Sequence, residues 1–376
     1  MKFSEVLGQD DIKQQIRLMA AGGKLPHALL FGGPEGCGKL PMALAFASYL
    51  LCQHPENGED SCGRCNSCMM LKKFAHPDLH FTYPVIKAKG HSGEPLSAHY
   101  LEEWRQLLCQ NPYFDLPTWL KSLGIENQQA QIYAAQGQEI LQNLSLKSSQ
   151  GGYKIVIIWL PELMHPVAAN KLLKIIEEPP AGTLFMLVSE KPEKVLGTIV
   201  SRTQYVEFKP LPEALISRYL QEHNGLQAAD ANDVAHFSQG NLVRAGQQLM
   251  ANRDTNLFFD LFVLLMRLSY SRKVKDLMEW SEQVGSWGRE KQKNFLTYCQ
   301  RMVRENFIYN FRRPQMNHME QKEADFAVRF ARFVNERNVI GIMDEFAAAQ
   351  RDIEQNANAR IVLFDLALHI IVLLLK

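Results

Sequence analysis

The sequence has no surplus of either charge: 41 lysines and arginines face 40 aspartates and glutamates, for a formal net charge of +1 over 376 residues. That balance excludes a chain drawn to nucleic acid by its overall field, so any contact with DNA has to come from a local patch or from a larger assembly. Internal repeats and low-complexity tracts are missing too. No apolar run reaches the ~20 residues that a bilayer-spanning helix needs. The most apolar stretch, Ile361 to Leu375, is shorter and is interrupted by Asp365 and His369, so it reads as a buried helix rather than a membrane anchor. The opening MKFSEVLGQDD lacks the apolar core of a secretory leader. Cysteines number seven, an odd count, and four of them sit close together. This is a poor disulfide framework and points to a reducing compartment, with a cytoplasmic location expected.

What is present is ample apolar material, 46% of residues, in a chain long enough for two or three domains. Ala28–Phe31, Lys154–Leu160 and Thr183–Val188 are short apolar runs that fit buried parallel strands. Helical periodicity marks Ser4–Ala21, about Pro41–Cys52, Ile140–Lys147 and Val167–Glu178, the last stopped by Pro179-Pro180. The alternation predicts a doubly wound α/β domain with a parallel sheet. From about Tyr83 to Gln136 the pattern loosens into an insertion, with helical stretches near Tyr100–Cys109 and Pro117–Leu123. Beyond Pro210 only helices are expected: short ones at Leu215–His223, Ala229–Phe237 and Val243–Met250, then longer amphipathic ones from Phe258 onward.

Gly33-Pro34-Glu35-Gly36-Cys37-Gly38-Lys39 matches G-x-x-x-x-G-K between a predicted strand and a predicted helix. Glycines at 33, 36 and 38 free backbone N–H groups to face a phosphate, and Lys39 would reach its terminal oxygens. The next position, which normally supplies a hydroxyl to Mg²⁺, is Leu40, followed by Pro41. Trp159 and Leu160 stand where a working ATPase of this class ends its central strand in two carboxylates. Glu162 lies two residues too late to replace them. Hydrolysis by this chain is therefore not expected. Two readings of the loop stay open: a vestigial turn with weak or absent ATP or ADP binding, and nucleotide binding without hydrolysis.

Cys52, Cys62, Cys65 and Cys68 form C-x9-C-x2-C-x2-C. Four thiolates at this spacing suit tetrahedral Zn²⁺ and leave no open position for water, which is the signature of a structural site. Cys37, Cys109 and Cys299 are left over and expected to be buried, and His76 and His80 read as part of a turn into a strand rather than as ligands.

Four segments carry a family resemblance. Phe3-Ser4-Glu5-Val6-Leu7-Gly8-Gln9 resembles the N-terminal box of clamp-loader ATPases of the AAA+ class. Ala168–Lys174 with Glu177-Glu178-Pro179-Pro180 resembles their N-x-L-L-K…E-E-P-P element. Thr198–Thr203 is similar to their S-R-C motif with Thr203 in place of cysteine, and Gly240–Ala245 is similar to their G-x-x-R-A sensor element. The resemblance covers about residues 1–82 and 137–250 and reaches the C-terminal helices only in outline.

It implies an AAA+ α/β domain over 1–208 with the zinc module at about 52–70 and the insertion at about 83–136. A small helical lid follows over 209–250, then a helical collar over 251–376. It also implies roles: Ser201 and Arg202 would present a guanidinium in trans to the γ-phosphate of ATP on a neighbouring subunit, and Arg244 would face the chain's own vestigial site. The implied partners are the ATPase subunits and the delta subunit of a clamp loader, the sliding clamp, and primed DNA reached through the assembly, with no membrane. Two rival readings are an ATP-hydrolysing subunit, favoured by Lys39 and opposed by Leu40, Trp159 and Leu160, and a zinc-containing DNA-binding protein, opposed by the neutral charge.

Overall fold

The computed structural model describes every residue except 24, 57, 88–92, 125–128, 146–147, 149–151, 312–318, 320 and 376, and the side chains of 252–253. It divides into two compact units, Met1–Gln248 and Leu249–Lys376.

The first unit is built on a sheet of five strands, β1 (Ala28–Gly32), β2 (Leu79–Thr82), β3 (Lys154–Trp159), β4 (Thr183–Ser189) and β5 (Gln204–Glu207), in the order β2-β3-β4-β1-β5. Every pairing is parallel. β1, β3 and β4 are buried at every position because helices cover both faces. Successive side chains on a strand point to opposite faces, and the two cores divide accordingly. Leu29, Phe31, Ile155, Ile157, Trp159, Leu184, Met186 and Val188 face α1 (Asp10–Ala21) and α2 (Lys39–Leu50). Leu30, Val156, Ile158, Phe185 and Leu187 join Ile140, Ala168, Leu172 and Ile199 on the other side.

The short α3 (Asn66–Leu71) lies in the cysteine-rich segment. The insertion supplies α4 (Leu101–Gln110) and α5 (Leu116–Ser122). Its aromatics form a packed cluster on the α2 side of the sheet. Trp104 and Trp119 are fully buried, Tyr83 stacks on Trp104 at 4.1 Å, and Trp104 and Phe114 each sit 5.2 Å from Trp159. Trp119 Nε1 donates to Pro84 O at 2.8 Å and Gln136 Nε2 donates to Tyr83 O at 2.9 Å, whereas the buried Nε1 of Trp104 has no hydrogen-bond partner among the described residues. The loosened sequence pattern thus hides a piece of the main core.

Several expectations are corrected. The helix expected over Ser4–Ala21 begins only at Asp10, because Gly8 and Gln9 take φ of +63° and +58° after a 3-10 turn at Phe3–Glu5. α6 (Ala134–Ser145) starts six residues before Ile140, because Gln136 turns its side chain back to accept from Tyr133 N at 2.7 Å and so opens the helix early; the expected end at Lys147 lies outside the described residues. β5 was not expected, since only Val206 of its four residues is buried and the strand closes the sheet edge with polar side chains outward. Cys109 is exposed, one step round α4 from the buried Leu107 and Leu108, with its Sγ 3.7 Å from Lys72 O.

α7 (Pro166–Glu177) leads into β4, and between β4 and β5 the chain makes the one-turn helix α8 (Gly197–Val200). α9 (Glu213–Asn224) and α10 (Ala228–Ser238) pack as a pair. Gly240, at φ +82°, is pressed against Pro210 and Leu211, where a Cβ has no room. The expected break near Met250 is absent: with neither glycine nor proline from Gln247 to Tyr270, α11 runs unbroken over Leu242–Tyr270.

The second unit contains the rest of α11 with α12 (Val274–Gly285), α13 (Arg289–Tyr309), α14 (Gln321–Phe330), α15 (Val339–Glu354) and α16 (Ala359–Leu373). Its core centres on Phe262, Trp280, Phe295, Phe346 and Ile370. Glu323 is buried there, where it accepts from Tyr298 Oη at 2.7 Å and pairs with Arg301. α16 buries Leu363, Leu366, Ala367 and Ile370, and no described helix is long and apolar enough to cross a membrane.

Candidate functional site

In an open parallel sheet, ligands bind beyond the carboxyl ends of the strands at the point where strand order reverses. The loop after β1 occupies that place, since β1 lies between β4 and β5 while β2 and β3 lie beyond β4. Gly36 and Gly38 take φ of +69° and +95°, and α2 begins at Lys39. The backbone has the shape of a phosphate cradle, yet its surroundings fill it.

Lys39 is buried and folds back on its own loop, donating from Nζ to Gly33 O at 2.8 Å and to Pro34 O. From one side the insertion closes in: Tyr113 lies against Gly38, and its Oη accepts from Leu7 N at 2.9 Å. Asp115 caps α5 through Thr118 N at 2.9 Å and accepts from Gln247 Nε2 at 2.8 Å. From the other side Leu242 N donates to Gly36 O at 3.2 Å, and Asn241 packs so tightly on Gly36 that a Cβ there would overlap its amide. A cavity of about 20 Å³ is left between Gly36, Gly38, Lys39, Tyr113 and Trp159. That is room for about one water, with Glu190 also on its wall, and beside it a pocket of about 320 Å³ opens between Glu35, Asp115, Glu162, Glu190 and Lys191.

The strand end offers no metal ligand. Trp159 is buried in the aromatic cluster, and Leu40 is buried beneath the loop. Glu162 is committed elsewhere, accepting from Ser189 Oγ at 2.9 Å, Glu190 N at 2.9 Å and Lys191 N at 3.1 Å. Beside it, burial pushes the Glu190 carboxyl up to about 7, and the neighbouring Glu35, Glu162 and Asp115 push the same way against Lys39. Arg244 is exposed; its N–H caps onto Asn241 Oδ1 at 3.0 Å and its Nη1 donates to Gln239 Oε1 at 3.3 Å. Asn241 itself packs on Gly36, and the Arg244 charge acts on Glu35 of the loop, opposing the burial that raises its carboxyl.

Arg202 stands apart from that loop, just after α8. Its Nε donates to Glu177 Oε2 at 2.8 Å and its Nη1 to Thr198 O at 3.0 Å. Ser201 is exposed and its Oγ donates to Thr198 O at 3.2 Å.

The four cysteines converge: Sγ atoms of Cys52, Cys62, Cys65 and Cys68 all lie within 4.8 Å of one another, and none is in a disulfide. Tetrahedral zinc with Zn–S of about 2.3 Å places sulfurs about 3.8 Å apart, and the Cys62–Cys68 pair stands at 3.9 Å. Backbone N–H groups donate to sulfur in turn, Cys62 N to Cys52, Cys65 N to Cys62 and Cys68 N to Cys65, at 3.3–3.5 Å. Those from Arg64 and Cys65 draw the Cys62 thiol down, while burial pushes the Cys52 and Cys68 thiols up, so these two need a cation's charge to ionise. The donor set fits zinc. His76 stays outside it, with Nδ1 accepting from Asp78 N at 3.1 Å and Nε2 3.3 Å from Ser67 Oγ.

Sequence reasoning missed Asp60, whose carboxylate accepts from Phe3 N, Ser4 N, Ser4 Oγ and Ser61 N at 2.9–3.1 Å and fastens the N-terminal segment to the cysteine loop. It also missed Tyr113. An aspartate ahead of a cysteine ligand and a tyrosine in an irregular insertion give no periodic signal.

A five-stranded parallel sheet with a glycine loop at its switch point defines an α/β protein of the phosphate-loop type, here with a four-thiol cluster beside it in sequence. The chain belongs to the family described as DNA polymerase III, delta subunit, whose model matches residues 8–212, more than half the chain. Within that class it resembles the delta' subunit of bacterial DNA polymerase III. Identity to the DNA polymerase III subunit delta' of Bacillus subtilis is 32% over 200 residues, 53% of this chain and 47% of that one. The Escherichia coli K12 delta' subunit is 30% identical over 191 residues, 51% and 45% of the two chains. The gamma/tau subunit of Mycobacterium tuberculosis H37Rv is 29% identical over 233 residues, 61% of this chain and 33% of that one. The chain thus spans about half the length, or less, of the curated relatives it matches.

Proposed function

We propose that this chain is a non-hydrolysing, delta'-like subunit of a clamp loader, placing Arg202 against the ATP held by a neighbouring subunit while a sliding clamp is loaded on primed DNA. The observation that carries this reading is a contrast within one unit: the chain's own phosphate loop is filled by its own residues, whereas Arg202 is partly exposed and keeps donors to spare. A guanidinium is always charged, and its fork matches phosphate oxygens. At a phosphoryl-transfer transition state such a group stabilises charge spreading onto the equatorial oxygens, an effect of ~10³–10⁵ in other systems. Leu40 and Trp159 stand where a hydroxyl for the metal and a strand-end carboxylate are expected, which supports the absence of hydrolysis.

In this reading residues 1–208 form an AAA+ domain, 209–250 a lid and 251–376 a collar that joins the other subunits, among them the ATPase subunits and delta. Cys52, Cys62, Cys65 and Cys68 hold a structural zinc, which cross-links the loop that Asp60 ties to the N-terminal box. ATP or ADP binds weakly or not at all. Arg202→Ala in the reconstituted assembly, with clamp and primed DNA, tests the proposal. Turnover should fall while the assembly keeps its size. Unchanged turnover, or Mg²⁺-dependent turnover by the isolated chain, would overturn it.

A further inference from the structure

Glu177 is the last residue of α7, where the carbonyl ends of the helix make a carboxylate unfavourable. Glu178 and two prolines follow, so the chain leaves the helix there and holds Glu177 at a fixed exit. Its Oε2 accepts from Arg202 Nε at 2.8 Å, and on the other arm of the guanidinium Nη1 donates to Thr198 O at 3.0 Å. The two acceptors come from different elements, α7 and α8, so together they fix both the position and the plane of the group. Nη2 has no partner among the described residues, and the side chain is 32% exposed. An exposed arginine otherwise samples many rotamers, and most of that freedom would be lost at the moment a phosphate is met.

We infer that Glu177 is a positioning residue for Arg202: by holding Nε it sets the guanidinium with Nη2 free for the terminal phosphate oxygens of a nucleotide on a neighbouring subunit. The inference rests on the trans role of Arg202 and adds to it an intrachain partner. A carboxylate kept at an unfavourable helix end and paired with this one arginine is explained by orientation of the finger. Stability alone does not account for it, since exposed ion pairs contribute little.

The test is steady-state ATP turnover of the reconstituted assembly, with kcat and KM separated, for Glu177→Ala, Glu177→Gln and Arg202→Ala. Assembly size and far-UV circular dichroism serve as folding controls. Glu177→Ala should lower kcat about 3- to 10-fold with KM for ATP unchanged, the size expected when a catalytic group loses orientation but not charge. Glu177→Gln, whose amide oxygen still accepts from Nε, should restore most of the loss. Wild-type kcat for Glu177→Ala beside a large loss for Arg202→Ala would overturn the inference and leave the finger reading standing. A loss in Glu177→Gln equal to that in Glu177→Ala would also overturn it, because charge and not orientation would then be at work. No loss in Arg202→Ala would remove both.

Discussion

Mg-ATP at about 1 mM is expected to leave the melting temperature of the chain unchanged to within about 1 °C. Admitting a triphosphate to the loop after β1 requires Tyr113 and Phe114, both buried, to leave their places, and breaks the bonds from Leu7 N to Tyr113 Oη and from Gln247 to Asp115. At about 1.5–3 kcal/mol for each side chain exposed and about 1 kcal/mol for each hydrogen bond, opening costs about 5–8 kcal/mol. With tenfold per 1.4 kcal/mol, a loop with an intrinsic Kd of about 10 μM would show an apparent Kd above about 10 mM. Binding at 10 μM without that cost would add about 2.7 kcal/mol at 1 mM ligand and raise the melting temperature by about 5–10 °C. Differential scanning fluorimetry with ATP and ADP, with and without Mg²⁺, separates the two cases. A shift of 5 °C or more that disappears in Lys39→Ala would refute the occlusion argument and restore the reading in which the loop binds nucleotide without hydrolysing it.

Trp104→Ala should destabilise the first unit by about 3–5 kcal/mol in chemical denaturation, because a fully buried ring at the centre of the cluster with Tyr83, Phe114, Trp119 and Trp159 is removed; a cost below about 1 kcal/mol would show that the insertion is not part of the core. Purified chain should carry about one zinc per molecule by elemental analysis, and Cys65→Ser or chelation should lower the melting temperature and open the N-terminal segment held by Asp60 to proteolysis; metal-free protein of unchanged stability would contradict this. Glu190 is predicted to weaken the fold as pH rises. Its folded value of about 7 lies above the ordinary 4.5, so the folded state holds the proton more tightly and stability is lost between about pH 4.5 and 7. Glu190→Gln should therefore stabilise the chain by about 1–2 kcal/mol at pH 8, allowing for residual solvation, and by almost nothing at pH 4. An equal effect at both pH values would refute the assignment.

Much of the site was legible because its chemistry is local in sequence. The glycine loop, the four cysteines and Ser201-Arg202 each lie within one short segment, and β1, β3 and β4 announce themselves as unbroken apolar runs. What was not legible depends on distant packing. β5 is an edge strand with one buried residue, so it has too little apolar pattern to be seen. The insertion buries its aromatics at irregular spacing, on two short helices and the loops between them, and no single period marks them. The closure of the phosphate loop is similarly hidden, since Tyr113 meets Leu7 across 106 positions and Asp115 meets Gln247 across 132. Cys109 was misplaced because burial of a cysteine is a statistical tendency, while its face on α4 is set by Trp104 and Leu108.

The central claim is that this chain contributes to a neighbour's chemistry and performs none of its own. Its most direct measurement is ATP turnover by assemblies reconstituted in parallel with the wild-type chain, Lys39→Ala and Arg202→Ala, each checked for intact size. The account predicts that Lys39→Ala leaves turnover unchanged and that Arg202→Ala lowers it at least about tenfold. Loss of turnover with Lys39→Ala and none with Arg202→Ala would contradict it.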